Sequence, residues 1–320
     1  MTACLAVFFS ACSKTPEKPA ASKPAAPPPV HRGTIGVSLL TLENPFFKVI
    51  GDNITMEARK HGFDTTVVSA DKDGAKQGNQ VKDFIVKKVA AIVLSPCDSK
   101  SIVPVIQEAN TAGIPVFTVD IPCNEPGVKI VTQIATDNYG GGKEAAKAMI
   151  EALGPSGGKI AVIHMKQAES CLLRVKGFTE VINEHNAKGT GKVEIVTELE
   201  GGGAKDTGFK AAEDALQAHG DLKGIFAIND PSALGARAAL EKAGKASQVV
   251  IIGFDGQPEG KQAIKEGKIY ADPVQFPQLM GIATAKSIFE HSRGTELPKE
   301  MLIPTSLYRK SDAEKDPDLK

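Results

Sequence analysis

The chain has 320 residues, of which 42% are apolar and 24% charged, enough for two domains with substantial cores. Lysine plus arginine equals aspartate plus glutamate, 38 of each. That balance argues against a nucleic-acid partner, which leaves a basic footprint.

Residues 5–11 form a short apolar run that ends in FSAC at 9–12. It is too short to span a bilayer. The pattern apolar, Ser, Ala, Cys resembles the lipobox of bacterial lipoproteins. The resemblance implies that residues 1–12 are a lipoprotein signal peptide and that Cys12 carries the lipid. An ordinary signal peptide or a stray cysteine are the alternatives. No Lys or Arg precedes the run, which departs from the usual signal pattern. Residues 13–32 are rich in Pro, Ala and Lys and cannot bury a core; an extended, semi-rigid tether is expected there.

Strand–helix alternation starts with TIGVSLL at 34–40. Asn44-Pro45 then opens a helix over 46–60, Asn as the cap and Pro where a missing N–H costs nothing. A strand TTVVSA, a helix over 75–88, the strands AAIVLS and PVFTVD, and a strand VKIVTQIA at 128–135 follow. The pattern then begins again. Helices are predicted over 139–153, 174–186, 205–219, 231–243 and 259–266, alternating with the strands KIAVIHM, VEIVTEL, GIFAIN, VVIIGFD and IYADPVQF. A late helix covers 277–290, residues 303–308 are ambiguous, and 311–320 are expected to form a disordered polar tail.

One stretch occurs twice, as AAIVLSPCDSKSIVPVIQEANTAGIPVFTVD at 90–120 and GIFAINDPSALGARAALEKAGKASQVVIIGFD at 224–255. Each copy reads strand, helix, strand, aspartate. A right-handed crossover makes the two strands parallel, and ligands of open parallel sheets sit outside the carboxyl ends of the strands. Two similar α/β lobes, each with an aspartate at its ligand edge, form a clamp for a small polar molecule.

A catalytic set is not expected. None of the six histidines stands in an HExxH spacing, and only His164, at the end of a strand, is expected to approach the cleft. The glycine runs at 140–142 and 201–203 lack nucleotide-binding spacing. No metal or cofactor is implied, and the chain does not read as an enzyme. The corners at the strand ends carry Asn44, Phe46, Phe47, Asp120, Arg174, Asn229, Asp255 and Gln275. Carboxylates, a guanidinium and amides make paired hydrogen bonds to neighbouring hydroxyls, and a C–H-rich ring face packs on an aromatic. The mix suits a sugar or polyol and lacks the concentrated positive charge a phosphate needs. Singly, each residue also reads as a cap, a turn, a surface cation or core.

TIGVSLLTLENPFF (34–47), AIVLSPCDS (91–99), IPVFTVD (114–120), RVKGF (174–178), FAINDPSALGA (226–236) and IIGFDG (251–256) together resemble the ribose-binding-protein-like periplasmic sugar-binding proteins, the type I solute-binding proteins of sugar ABC importers. The resemblance implies an α/β fold of two Rossmann-like lobes with parallel sheets joined by a three-strand hinge. Lobe one would be 33–136 plus 276–303, and lobe two 137–275 plus 304–310. It further implies a monomer in the periplasm or cell envelope that captures a sugar or polyol between closing lobes. An ABC permease and ATPase complex would receive the ligand; the alternative is a receptor reporting to a membrane kinase or chemoreceptor. The same eight residues fall on the family's sugar contacts, with Gln275 at a hinge. Leu40, Ile121 and Gly203 stand where that family has a serine, an arginine and an aromatic, so ribose itself should fit poorly.

Of the remaining cysteines, Cys97 and Cys123 fall on adjacent corners of one lobe. They are either bridged by a disulfide or two thiols filling small gaps. Cys171 belongs to the other lobe and is expected to be free.

Overall fold

Two open sheets with the same strand order build the molecule. The computed structural model describes Met1 and residues 31–189 and 191–319; the segment carrying Cys12 and most of the expected tether lie outside the described residues. In lobe one the chain runs β1 (Thr34–Leu39), α1 (Pro45–Lys60), β2 (Asp64–Ser69), α2 (Gly74–Val86), β3 (Ala91–Leu94), α3 (Val103–Thr111), β4 (Val116–Val119) and β5 (Gln133–Thr136). Lobe two follows with α4 (Asn138–Leu153), β6 (Gly158–His164), α5 (Glu169–Ala187), β7 (Val193–Glu200), α6 (Lys205–Ala218), β8 (Gly224–Ala227), α7 (Asp230–Lys242), β9 (Val250–Ile252), α8 (Pro258–Lys265) and β10 (Ala271–Val274). The chain returns to lobe one for α9 (Pro277–Ser292) and β11 (Glu300–Ile303), and ends in lobe two with β12 (Ser306–Arg309) and α10 (Lys310–Ala313).

The sheets are ordered β2-β1-β3-β4-β5-β11 and β7-β6-β8-β9-β10-β12. Pairing is parallel throughout except β12, which runs antiparallel to β10. β3, β4 and β8 are buried along their whole length, as strands covered by helices on both faces must be. In this order the chain reverses direction across the sheet beside β1 and β6, and a crevice opens there at the carboxyl ends of the strands. Side chains start several helices: Asn44, Asp73, Asp137 and Asn229 each accept a hydrogen bond from a first-turn N–H. α9 lies on α1 so closely that a side chain at Gly281 would meet Ile50 O and Asn53, which fixes the helix to lobe one.

Three segments cross between the lobes, at 136–138, 275–277 and 303–306. Hydrogen bonds knit them: Thr136 Oγ1 donates to Gln275 Oε1 at 2.7 Å, and Asp137 N to Ile303 O at 2.8 Å.

The structure departs from the sequence reading at four places. α5 begins at Glu169, not 174; Ala168 provides no side-chain cap, so nothing in the sequence marks the start. β5 is confined to Gln133–Thr136. The segment expected as a disordered tail is packed: Ala313 is fully buried, and Asp316 accepts from Tyr308 Oη at 2.8 Å and Lys261 Nζ at 3.0 Å. Cys97, Cys123 and Cys171 are all free thiols, so the Cys97–Cys123 bridge is not formed. Different glutamines pin the two corners, Gln77 Oε1 on Cys97 N at 2.8 Å and Gln133 Oε1 on Cys123 N at 2.7 Å. The Cys123 thiol is turned to Ser99 O at 3.2 Å, and burial pushes the Cys97 thiol up to about 12.

Candidate functional site

The two aspartates that end the duplicated units share an uncommon backbone state. Asp120, just after β4, has φ 66°, and Asp255, after β9, has φ 105°. Non-glycine residues seldom adopt positive φ, and the strain is kept where surrounding structure overdetermines it, often at binding sites. Each carboxylate is thereby aimed off the end of its sheet into the space between the lobes.

Asp255 is held on all sides. Gln275 Nε2 donates to its Oδ1 at 2.5 Å, Arg174 Nη1 to the same oxygen at 3.1 Å, and Gln257 Nε2 to Oδ2 at 3.1 Å. Burial raises its pKa, with the Arg174 charge the chief opposing influence. Arg174 projects from the second turn of α5 and is 3% exposed. Its Nε donates to Asn138 Oδ1 at 2.8 Å, its Nη1 to Ile228 O at 2.6 Å, and its guanidinium lies 3.8 Å from the Phe254 ring centroid. None of these bonds uses Nη2. α5 can stand this close because α4 carries Gly142, where any side chain would collide with Arg174 O. Of the glycine run at 140–142, Gly142 is thus the small-residue gap between α4 and α5, while Gly141 makes room for Phe254 and Thr305.

Asp120 is the counterpart in lobe one and is differently placed. It is 4% exposed, yet its Oδ1 has no hydrogen-bond partner among the described residues. Burial raises its carboxyl to about 7, Arg174 opposing and Asp255 adding to the rise.

All eight residues expected at the site line one cavity: Asn44, Phe46, Phe47, Asp120, Arg174, Asn229, Asp255 and Gln275. Its volume, by the centres of water-sized molecules, is about 50 Å³. One water needs about 10–15 Å³ on that measure, so the cavity takes one small molecule in place of several waters. Phe46 and Phe47 meet edge to face, with centroids 5.4 Å apart. Asn44 and Asn229 also serve as helix caps, and Asn229 Nδ2 donates to Gly203 O at 3.1 Å. Leu40 and Ile121 give the lobe-one wall an apolar side. Hydrogen bonds close the cleft, from Lys72 Nζ to Gly202 O at 3.2 Å, Ser99 N to Gln167 O at 3.1 Å and Glu169 N to Ser99 Oγ at 3.2 Å.

His164 is not at this cavity. It faces a separate depression beside α5, and its Nδ1 accepts from Met165 N at 2.8 Å. Desolvation lowers its pKa. It ends β6, but that bond and its burial turn the ring away from the cleft.

Residues 35–296 match the family model of the periplasmic binding protein domain. The chain belongs to that family. Among similar periplasmic binding proteins, the ribose import binding protein of Bacillus subtilis is 33% identical over 94% of this chain and 94% of its own. The D-apiose import binding protein of Paraburkholderia graminis is 32% identical over 85% of this chain and 86% of its own. An ABC transporter solute-binding protein from Agrobacterium vitis, solved with bound D-fucose, superposes with a TM-score of 0.81 at 32% identity, covering 88% of this chain and 97% of that one.

In this periplasmic binding protein, sequence reasoning missed Asn138, Gln257, Met165, Ala168, Ser170 and Cys171. The last four line the cavity, and the first two hold Arg174 and Asp255. Cys171 stands three residues before Arg174 on α5, so helical spacing would have placed it once the true helix start was known.

Proposed function

We propose that the protein captures one neutral sugar or polyol between its lobes and delivers it to an ABC importer, tethered to the membrane by a lipid on Cys12. The single observation that carries this reading is Asp120 Oδ1, a buried acceptor with no partner among the described residues, on the lobe opposite the Arg174–Asp255 pair. A hydroxyl-bearing ligand supplies the missing donor and, by touching both lobes, favours the closed state. The relatives named for ribose and D-apiose import, and the neighbour with bound D-fucose, support the same ligand class. Leu40 and Ile121 favour a ligand with fewer hydroxyls than ribose on the lobe-one side, such as a deoxy sugar.

A thermal-shift screen against pentoses, hexoses, deoxy sugars, polyols and nucleosides tests the reading. A ligand at 100 times its dissociation constant stabilises the fold by about 2.7 kcal/mol. If no sugar or polyol raises the melting temperature while a nucleoside does, the reading is wrong. The anchor is tested apart from the ligand: Cys12→Ala should move the protein from the membrane to the soluble fraction of lysed cells.

A further inference from the structure

Helix α5 carries Arg174, yet it begins without a cap of its own. Ala168 stands at the cap position and offers no side-chain oxygen. Cys171 N and Leu172 N turn back to Ala168 O at 3.0 and 3.1 Å. Glu169 is the first helical residue, and its N–H, like the opening N–H groups of any helix, has no carbonyl partner within the helix.

The missing acceptor comes from the other lobe. Glu169 N donates to Ser99 Oγ at 3.2 Å, and Ser99 N donates to Gln167 O at 3.1 Å. A capping serine ordinarily stands two or three residues before the N–H that it accepts from. Ser99 is 70 residues from Glu169 in sequence and meets it across the cleft, so the contact exists only while the lobes are shut.

Two further bonds fix Ser99 on its own lobe. Its Oγ donates to Pro122 O at 2.9 Å, and its carbonyl accepts from Cys123 Sγ at 3.2 Å. A hydroxyl has one proton and two lone pairs. The proton is used on Pro122, which leaves the oxygen an acceptor toward lobe two. Pro122 and Cys123 stand two and three residues after Asp120, on the corner that follows β4. One buried side chain therefore joins the corner of Asp120 to the helix of Arg174, the two sides of the cavity.

We infer that Ser99 is a positioning residue for solute capture: it caps α5 from across the cleft, holds Arg174 in place in the closed state, and slows reopening of the lobes around the ligand. This rests on the closing-lobe reading above and adds to it a residue that controls release without touching the ligand.

Two substitutions remove the contact from its two ends. Ser99→Ala deletes the acceptor. Glu169→Pro deletes the donor at the first helical position, where proline fits, and Ala168 already has the extended backbone (φ −99°, ψ 120°) that a following proline requires. In the full chain without ligand, amide hydrogen exchange at Glu169 should be about tenfold faster in Ser99→Ala than in wild type, with Phe178 in the middle of α5 unchanged. Stopped-flow dissociation of D-fucose and D-ribose should be about fivefold faster in each single variant, the worth of one net hydrogen bond. The double variant should release no faster than either single one. Additive effects of the two substitutions, unchanged release in both single variants, or equal exchange at Glu169 in wild type and Ser99→Ala would each overturn the inference. Exchange needs no ligand: if neither sugar binds, exchange at Glu169 alone decides the inference, and the sugar reading stands or falls by the thermal-shift screen.

Discussion

Gln275 Nε2 lies 2.5 Å from Asp255 Oδ1, and the oxygen of the same amide accepts from Thr136 Oγ1 at 2.7 Å. Thr136 ends the last parallel strand that lobe one forms before the first crossing, and Gln275 sits in the second crossing. One side chain therefore ties the hinge to the carboxylate at the site. A hydrogen bond to a charged group contributes roughly 1.5–3 kcal/mol. Gln275→Ala should weaken ligand binding at least about tenfold, roughly 1.4 kcal/mol. Gln275→Glu should weaken it further, because it sets a second carboxylate against Asp255. Calorimetry giving wild-type affinity for both variants would separate the hinge from the site.

Arg174 makes contacts that lysine cannot make together: a fork reaching Asn138 and Ile228 O at once, with a flat cation over Phe254, while also pairing with Asp255. Arg174→Lys should therefore lower affinity more than tenfold. Arg174→Ala should also lower stability by about 3–5 kcal/mol, because Asp255 is then buried without its cation. Denaturant titration beside calorimetry separates the two effects. An Arg174→Ala variant as stable as wild type would show that the pair is not buried as described.

Much of this was legible in the sequence. The duplicated strand–helix–strand–aspartate unit placed Asp120 and Asp255 at equivalent sheet edges, and the structure adds that both take positive φ. Asn44-Pro45 announced α1 because cap and proline chemistry are local. Arg174 was picked out, but on a strand-end corner, because α5 starts at an alanine with no cap. Asn138 and Gln257 were not found. Their roles depend on which segments cross the cleft edge, and no local pattern encodes that. The packed end of the chain escaped for the same reason: Asp316 is fixed by Tyr308 and by Lys261, 55 residues away.

Asp120 makes affinity depend on pH. Burial holds its carboxyl at about 7, and a hydroxyl donor prefers the ionised form. Ligand affinity should rise as pH rises through about 7. Apo stability should move the other way. A folded-state pKa above the unfolded one gives stability that is full below about 4 and is lost as pH climbs through about 7. Asp120→Asn should weaken binding at least about tenfold, flatten its pH profile, and leave the apo protein as stable as wild type below about pH 4 and more stable at pH 8. Affinities at pH 5.5 and 8 that agree in the wild type would remove Asp120 from the site.

Behind the site lies a second acidic pair. Asp230 at the start of α7 and Asp272 on β10 are 1% and 0% exposed. Among the described residues Asp230 Oδ1 and both Asp272 oxygens make no well-formed hydrogen bond; the two carboxyls face each other, and the Gly253 backbone N–H is a further donor near Asp272. Gln257 N donates to Asp230 Oδ2 at 2.6 Å, and Asp255 adds a third nearby negative charge. Two buried carboxyls in contact are stable only when they share a proton. Burial, with the charge of Asp272 beside it, pushes Asp230 well above the usual carboxylate range, and burial raises Asp272 to about 6. Both folded-state values lie above the unfolded ones, so the pair's stability is full below about 4 and is lost as pH rises through 6 and beyond. In Asp272→Asn the amide donates to Asp230 without needing a proton from solvent. That variant should match wild type in stability below about pH 4 and exceed it at pH 8 by about 1–3 kcal/mol, the cost of an unmade buried hydrogen bond. Differential scanning calorimetry at both pH values measures the difference, and equal melting temperatures at pH 8 would show that the pair holds no shared proton.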